Sequence, residues 1–348
     1  MNDNILSVII PCYNNSEYLI QLLECFKRQT SDSWEIIIVD DGSTDNTVET
    51  IREFSKDDPR ISMYVRERQP KGSVVCRNIG FEKSSGKYIS HIDADDMISD
   101  TFVENRIKFM DEHPEVDYAT FIAKTFIDGG SLPILESKGK TYGLGINTTD
   151  LLGDFLSADY CFSVWCNVYR RESIQNMPWD ERVKIYTDFS FIVPGIVLGL
   201  THAFAGGEID YYYRTFQSKK KSFNMCSNFI TDDKCESTLY LFDKTLKALC
   251  ERDDYQIRKN QFLNFIVLHF ERIMKGRNEK QISAYVDLIK RYYPNDTAKV
   301  FEAIASFSSV KWNQRWYEVG LYQRLYRSFG NRYKKNLIHA LGKSILRK

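Results

Sequence analysis

The chain has 348 residues, and its 47 lysines and arginines balance 47 aspartates and glutamates. Hydrophobic residues make up 43%, aromatic residues 14% and charged residues 27%, a globular composition that excludes a disordered chain. The zero formal charge argues against a uniformly basic nucleic-acid binder, and the longest apolar run, Phe189 to Leu200, is too short to cross a bilayer.

The length suits two domains, or one large domain with an appendage. The N-terminus, Met1-Asn2-Asp3-Asn4, has no basic stretch, so no signal peptide is expected. The eight cysteines contain no CxxC pair and sit mostly in apolar stretches, as reduced core thiols of a cytosolic protein do. The five histidines are scattered without zinc spacing.

Leu6 to Ile10 is a short apolar run ended by Pro11, the pattern of a buried strand. Ser16 is placed to cap a helix whose Leu19, Leu22, Leu23 and Phe26 share one face. Glu35 to Val39 reads as a second strand, and Asp45 caps a helix carrying Val48 and Ile51. Ile61 to Val65 is a third strand, residues 72–84 a third helix, Tyr88 to Ile92 a fourth strand, and Thr101 to Glu112 a helix. Alternating strands and helices with continuously apolar strands predict an α/β fold with a mostly parallel sheet flanked by helices. Glycines at 129–130 and 139–145 point to loops or a hairpin. From about Ser237 the pattern turns helical, with faces of Leu239, Phe242, Leu246 and Leu249, then Phe262, Phe265, Ile266 and His269, then Ile282, Tyr285, Val286 and Ile289. We therefore expect a domain boundary near residue 225, with the α/β domain over 1–225. A helical C-terminal region follows over 226–348.

Ligands bind at the carboxyl ends of strands in such sheets, and three strand ends carry chemistry. In Asp93-Ala94-Asp95-Asp96, residues two apart on extended chain point to one side, so Asp93 and Asp95 can converge on Mg²⁺ or Mn²⁺. An acidic loop ahead of a helix also forms without any ligand. Asp40-Asp41-Gly42-Ser43 offers a carboxylate to a base N–H, or is simply a turn. Pro11-Cys12-Tyr13-Asn14 offers an aromatic face for a base, although Tyr13 at a core edge needs no such role.

Taken in order, Ser7 to Asn14, Val39 to Asp45, Arg77-Asn78-Ile79-Gly80, Gly86 to Ile89, and Asp93 to Asp96 resemble glycosyltransferase family 2 over roughly residues 5–215. The resemblance implies the GT-A fold for a catalytic domain over 1–225, with nucleotide-sugar binding in 1–125 and the acceptor side in 126–225, and a nucleotide-sugar donor, most often a UDP-sugar. It implies that Pro11, Tyr13, Asn14 and Asp41 hold the nucleoside with help from Asp40, and that Arg77 and Asn78 lie near the diphosphate. Asp93 then approaches the ribose and a divalent cation (Mn²⁺ or Mg²⁺), and Asp95 binds the cation. Asp96 substitutes if the register slips by one. The family inverts the anomeric centre, which requires a general base, and Asp188 in Trp179 to Phe191 matches its place. Asp188 also suits a helix N-cap, and Thr187 stands where many members carry another acid. Asp180 and Glu181 are the fallback bases, and Asp180 is an acceptor-side candidate. Trp165 matches an acceptor-side block, where it either stacks on a sugar or belongs to the core. Tyr213-Arg214 with Ser218 to Ser222 resembles a segment that closes over the diphosphate.

Residues 311–348 hold ten basic side chains and one acid, Glu318, interleaved with aromatic residues. Such a helix suits an anionic membrane surface and would place the enzyme on the inner face of the plasma membrane. Packing on the acidic body, or a homodimer contact, are the alternatives. Processive synthases carry Gln-x-x-Arg-Trp and membrane spans. Here Gln314-Arg315-Trp316 lacks the spacing, so one sugar per acceptor encounter is expected. The resemblance places the reaction in bacterial surface polysaccharide synthesis, with a lipid-linked or oligosaccharide acceptor. The competing readings are an inactive sugar-nucleotide binder and a nucleotidyltransferase, the latter lacking its glycine-rich loop after the first strand.

Overall fold

Two strands with no polar face organise the molecule. In the computed structural model, β1 (Leu6–Cys12) is buried throughout except at Pro11, and every residue of β2 (Trp34–Asp40) is buried. Strands covered on both faces belong at the centre of a sheet with helices on either side. The structure describes residues 6–134, 139–145, 148–216, 231–276 and 279–295. The basic tail, Ser218 to Ser222 and Cys226 lie outside the described residues.

The chain divides into two compact units: Met1–Phe155 with Asp159–Ser227, and Leu156–Ala158 with Asn228–Lys348. The first unit continues with α1 (Ser16–Lys27), α2 (Thr47–Ser55), β3 (Ile61–Val65), α3 (Ser73–Lys83), β4 (Tyr88–His91), β5 (Met97–Ile98) and α4 (Phe102–Glu112). Then come β6 (Tyr118–Ile127), β7 (Thr141–Tyr142), α5 (Leu151–Leu156), a short 3-10 turn at Val164–Cys166, β8 (Asn167–Arg170), α6 (Arg171–Ile174), α7 (Thr187–Val197) and β9 (His202–Thr215). Among the described residues the strands form one sheet in the order β3-β2-β1-β4-β8-β6-β9-β5, with β7 beside β6.

The block β3-β2-β1-β4 is parallel, as the alternation of strand and helix requires. Beyond β4 the pairings are mixed. β8 runs antiparallel to both β4 and β6, while β6 and β9 are parallel. Cys12 is level with Asp40, and Ile9 with His91, so the carboxyl ends of β1, β2 and β4 open side by side. The chain runs from β1 outward to β3 and returns to the other side of β1 with β4, which creates the crevice where such sheets bind ligands.

Two helix starts differ from expectation. Ser16 is the first residue of α1, and Asn15 before it makes no side-chain cap hydrogen bond. At α2 the N-cap is Asn46, while Asp45 accepts the Thr47 N–H at 3.0 Å. Helix α3 sits unusually close to the sheet. A Cβ on Gly80 would meet Ile9 Cγ2 at 2.3 Å, so only glycine permits this approach.

The second unit comprises α8 (Asp232–Cys250), α9 (Tyr255–Gly276) and α10 (Glu279–Tyr292). Phe242 lies 5.3 Å from both Phe262 and Phe265 and 6.3 Å from Tyr285 between ring centroids, so one aromatic cluster joins the three helices. Leu241, rather than Leu239, completes the buried face of α8. Among the described residues no helix is long and apolar enough to cross a membrane.

Candidate active site

The loops after β1 and β2 are stitched together. Asn14 takes a left-handed conformation (φ 49°), accepts the Thr44 N–H at 2.8 Å and donates to Thr44 Oγ1 at 3.2 Å. Asp40 is buried and accepts the N–H groups of Gly42 and Ser43, both at 2.9 Å, with the Ser43 hydroxyl on its other oxygen. Gly42 has φ 86°, the left-handed value that closes this turn and that glycine adopts without strain. Both residues were expected at the nucleoside, and in the structure their polar groups hold the loops. Tyr13, at the tip, is 42% exposed, with Lys71 Nζ 3.4 Å from its ring centroid.

Asp41 differs from Asp40. Its Oδ1 accepts Arg66 Nε at 2.5 Å and the Gly72 N–H at 3.0 Å, with Cys76 Sγ at 3.7 Å. Its Oδ2 has no partner among the described residues. Arg66 directly follows β3, so the strand-end rule could have found it, and our sequence reading did not.

Asp93 follows β4. Arg77, only 4% exposed, donates to its Oδ1 at 2.7 Å and lies 4.7 Å from the Trp179 ring centroid. The Arg77 Nε is buried without a partner among the described residues. The backbone N–H of Asp93 donates to the Tyr211 hydroxyl at 3.2 Å. Burial raises the Asp93 carboxyl above its ordinary range, Arg77 pulls against it, and the Asp188 charge adds to it. Asp95 is pushed up to about 6, by burial first and by the charge of Asp93 second.

Asp96 is placed differently from the expected alternative ligand. It is fully buried, and each of its oxygens already accepts a hydrogen bond from the protein, one from the Tyr211 hydroxyl and the other from the Arg214 N–H at 2.7 Å. The Asn78 side chain is engaged by the segment around Trp179. Its amide accepts the Trp179 N–H at 2.9 Å and donates to Trp179 O at 3.0 Å and Glu181 Oε1 at 2.9 Å, pinning that segment to α3.

Asp188 is the second residue of α7, behind an N-cap Tyr186 with φ 59°, so it is not the cap itself. Its Oδ2 accepts the Ser163 hydroxyl and the Val164 N–H at 3.3 Å. Its Oδ1 has no partner among the described residues. Asp180 is held by its own turn, accepting from Arg182 N at 3.2 Å and Nε at 3.1 Å. Trp165 is 5% exposed, stacked on Tyr211 (5.0 Å, 9°) and Tyr213 (5.2 Å, 12°) and edge-on to Tyr142. It belongs to the core, and no face of it is open as a sugar platform. Arg214 is buried too, with its guanidinium on Asp128 at 2.8 Å, Gln21 at 2.9 Å and the Asp95 carbonyl. It therefore anchors β9 to the acid loop and is not free to close over a ligand.

A pattern separates the acids. Asp40 and Asp96 have both oxygens engaged by protein, whereas Asp41, Asp93 and Asp188 each have one oxygen held and one open. A held oxygen fixes the side chain, and an open one can act on a ligand. Residues 7–177 match the sequence profile described as glycosyl transferase family 2. The chain carries a family 2 glycosyltransferase domain.

The chain is similar to the minor teichoic acid biosynthesis protein GgaB of Bacillus subtilis, 25% identical over 271 residues, which is 76% of this chain and 28% of that one. The chain spans between 16% and 28% of the length of several curated bacterial relatives that it matches. Its structure resembles S. aureus TarS 1-349 in complex with UDP-GlcNAc, with TM-score 0.61 and 17% identity, covering 87% of this chain and 88% of that one. It also resembles a mannosyltransferase of Pyrobaculum calidifontis in complex with GDP-Man and Mn²⁺, with TM-score 0.50 and 14% identity, covering 88% and 81%. These likenesses establish the fold, the GT-A architecture.

Proposed function

We propose that the protein is an inverting, divalent-cation-dependent glycosyltransferase. It moves one sugar from a UDP-sugar to a glycan or lipid-linked acceptor of a bacterial surface polysaccharide. The observation that carries this reading is the convergence of Tyr13, Asp41, Arg77, Asp93 and Asp95 around three adjacent strand ends, with Asp188 close enough for its charge to act on Asp93. The likeness to GgaB, a teichoic acid biosynthesis protein, supports a surface-polysaccharide acceptor.

The exposed Tyr13 ring stacks on a base. The open Oδ2 of Asp41 accepts the imino N–H that uracil carries and cytosine lacks. Asp93 and Asp95 suit a hard divalent cation: the charge of Asp93 raises the Asp95 carboxyl, a repulsion that a cation relieves. When bound there, the cation supplies charge stabilisation to the departing diphosphate. Arg77 stays fixed by Trp179 and presents a cation beside the same phosphates. The acceptor hydroxyl loses its proton to the free Oδ1 of Asp188, whose other oxygen is locked by Ser163 and Val164.

Release of UDP from a panel of UDP-sugars, with Mn²⁺ and with chelator, tests the reading. Turnover of one UDP-sugar that stops on chelation supports it. Equal rates under both conditions, or nucleotide transfer in place of sugar transfer, overturn it.

A further inference from the structure

Trp179 joins two parts of the candidate site. Its backbone is tied to α3 through Asn78, at both its N–H and its carbonyl. Its indole N–H donates at 3.4 Å to Nε2 of the buried His91, at the end of β4. Burial, and then the charge of Arg77, keep that imidazole neutral and therefore able to accept. The ring fixed in this way meets two further residues. The Arg77 guanidinium, which holds Asp93, lies over it at 4.7 Å, and Phe191 stacks on it at 4.3 Å and 9°. Phe191 follows Asp188 by three residues on α7, one turn along the same helix face. A line of contacts therefore runs from Asp93 through Arg77, Trp179 and Phe191 to the helix that carries Asp188. Trp179 and Phe191 also border a cavity of about 470 Å³, so a smaller side chain at 179 leaves both neighbours room to move.

We propose that Trp179 is a positioning residue whose indole sets the separation between Arg77 with Asp93, on the leaving-group side, and Asp188, on the side of the incoming hydroxyl. It acts through these neighbours and touches no reacting atom itself. An in-line displacement needs both sides in reach of one carbon at once, and a misplacement of ~1 Å costs on the order of 10²-fold in rate. The inference rests on the transferase reading above, with Asp188 as its base.

The test is a double-mutant cycle on kcat in the full chain. Trp179→Leu removes the ring and should lower kcat roughly 10²-fold, while calorimetric affinity for UDP with Mn²⁺ stays within about threefold of wild type. Trp179→Phe keeps a ring against Arg77 and Phe191 and should recover most of the turnover. In the Asp188→Asn background, Trp179→Leu should lower kcat by less than about threefold, because the group whose alignment it serves is already gone. Equal losses in both backgrounds reveal a general structural role and overturn the proposal, as does an unchanged kcat in Trp179→Leu. Phe191→Leu breaks the same line from the α7 side and should show the same dependence on Asp188; an unchanged kcat there also overturns the proposal. Full turnover in Asp188→Asn alone removes the base and the proposal with it, leaving sugar transfer intact. A wild-type protein inert toward every sugar nucleotide overturns the reading and the proposal together.

Discussion

The Tyr211 hydroxyl accepts the backbone N–H of Asp93 at 3.2 Å across 118 residues of sequence. The same oxygen donates to Asp96. One phenol on β9 thus fixes both ends of the acid loop at the end of β4, and the backbone at Asp93 is held by a strand that joins the sheet much later.

Replacing Tyr211 with Phe leaves Asp96 buried with one oxygen unsatisfied. We expect a loss of about 1–3 kcal/mol in stability by urea unfolding, together with weaker Mn²⁺-dependent binding of UDP. Unchanged stability would show that Asp96 needs no partner there.

Asp188→Asn keeps the hydrogen bonds from Ser163 and Val164 in reach but removes the proton acceptor. Turnover should fall ~10²–10⁴-fold, with affinity for UDP retained. The measurement is steady-state sugar transfer beside calorimetric titration of UDP, and retained turnover would move the base elsewhere.

Asp95→Ala removes one of the two carboxylates assigned to the cation. In the wild type, UDP with Mn²⁺ should raise Tm, because a ligand that binds only the folded state stabilises it. In the variant the Mn²⁺-dependent part of that rise should vanish, while the rise from UDP in EDTA should persist.

Gly80→Ala places a methyl at 2.3 Å from Ile9 Cγ2. Relief requires α3 to lift from β1, and overpacking of this kind costs about 1–3 kcal/mol. Arg77, one turn earlier on α3, would shift with it, so donor KM should rise alongside the lower Tm.

His202 accounts for one part of the acid sensitivity. The Thr120 hydroxyl donates to Asn167 Oδ1 at 2.7 Å, so toward His202 it accepts, and the imidazole donates from Nε2 at 2.8 Å. Burial holds the imidazole neutral, with its pKa pushed down to about 4 from 6.5. Protonation is therefore easier in the unfolded chain. The contribution to stability is complete above pH 6.5, falls as pH drops toward 4 and levels off below. His202→Gln should become more stable relative to wild type across that window, read as the difference in urea midpoints at pH 7 and pH 4.5.

Much of the candidate site's position in the fold was legible because parallel strands place their end residues locally. Continuous apolar runs at Leu6 to Ile10 and Glu35 to Val39 announce doubly covered strands, and the residues immediately after them must lie at the carboxyl edge. Pro11 to Asn14, Asp40–Asp41 and Asp93 to Asp96 were found on that ground alone. The antiparallel half was less legible, since β8 has four residues and β5 and β7 two each, too short for an alternation to stand out.

By itself the sequence determined which segments reach the strand ends and that they carry acids, because periodicity and turn residues are local properties. Only the tertiary structure decided which of those acids keep an open oxygen. Asp40 and Asp41 are neighbours, as are Asp95 and Asp96, yet one member of each pair is closed by the fold and the other is not. The closing and anchoring groups (Arg66, Ser163, Tyr211 and Arg214) come from distant parts of the chain. Hydrogen-bond saturation depends on what is near in space, and no local pattern encodes it.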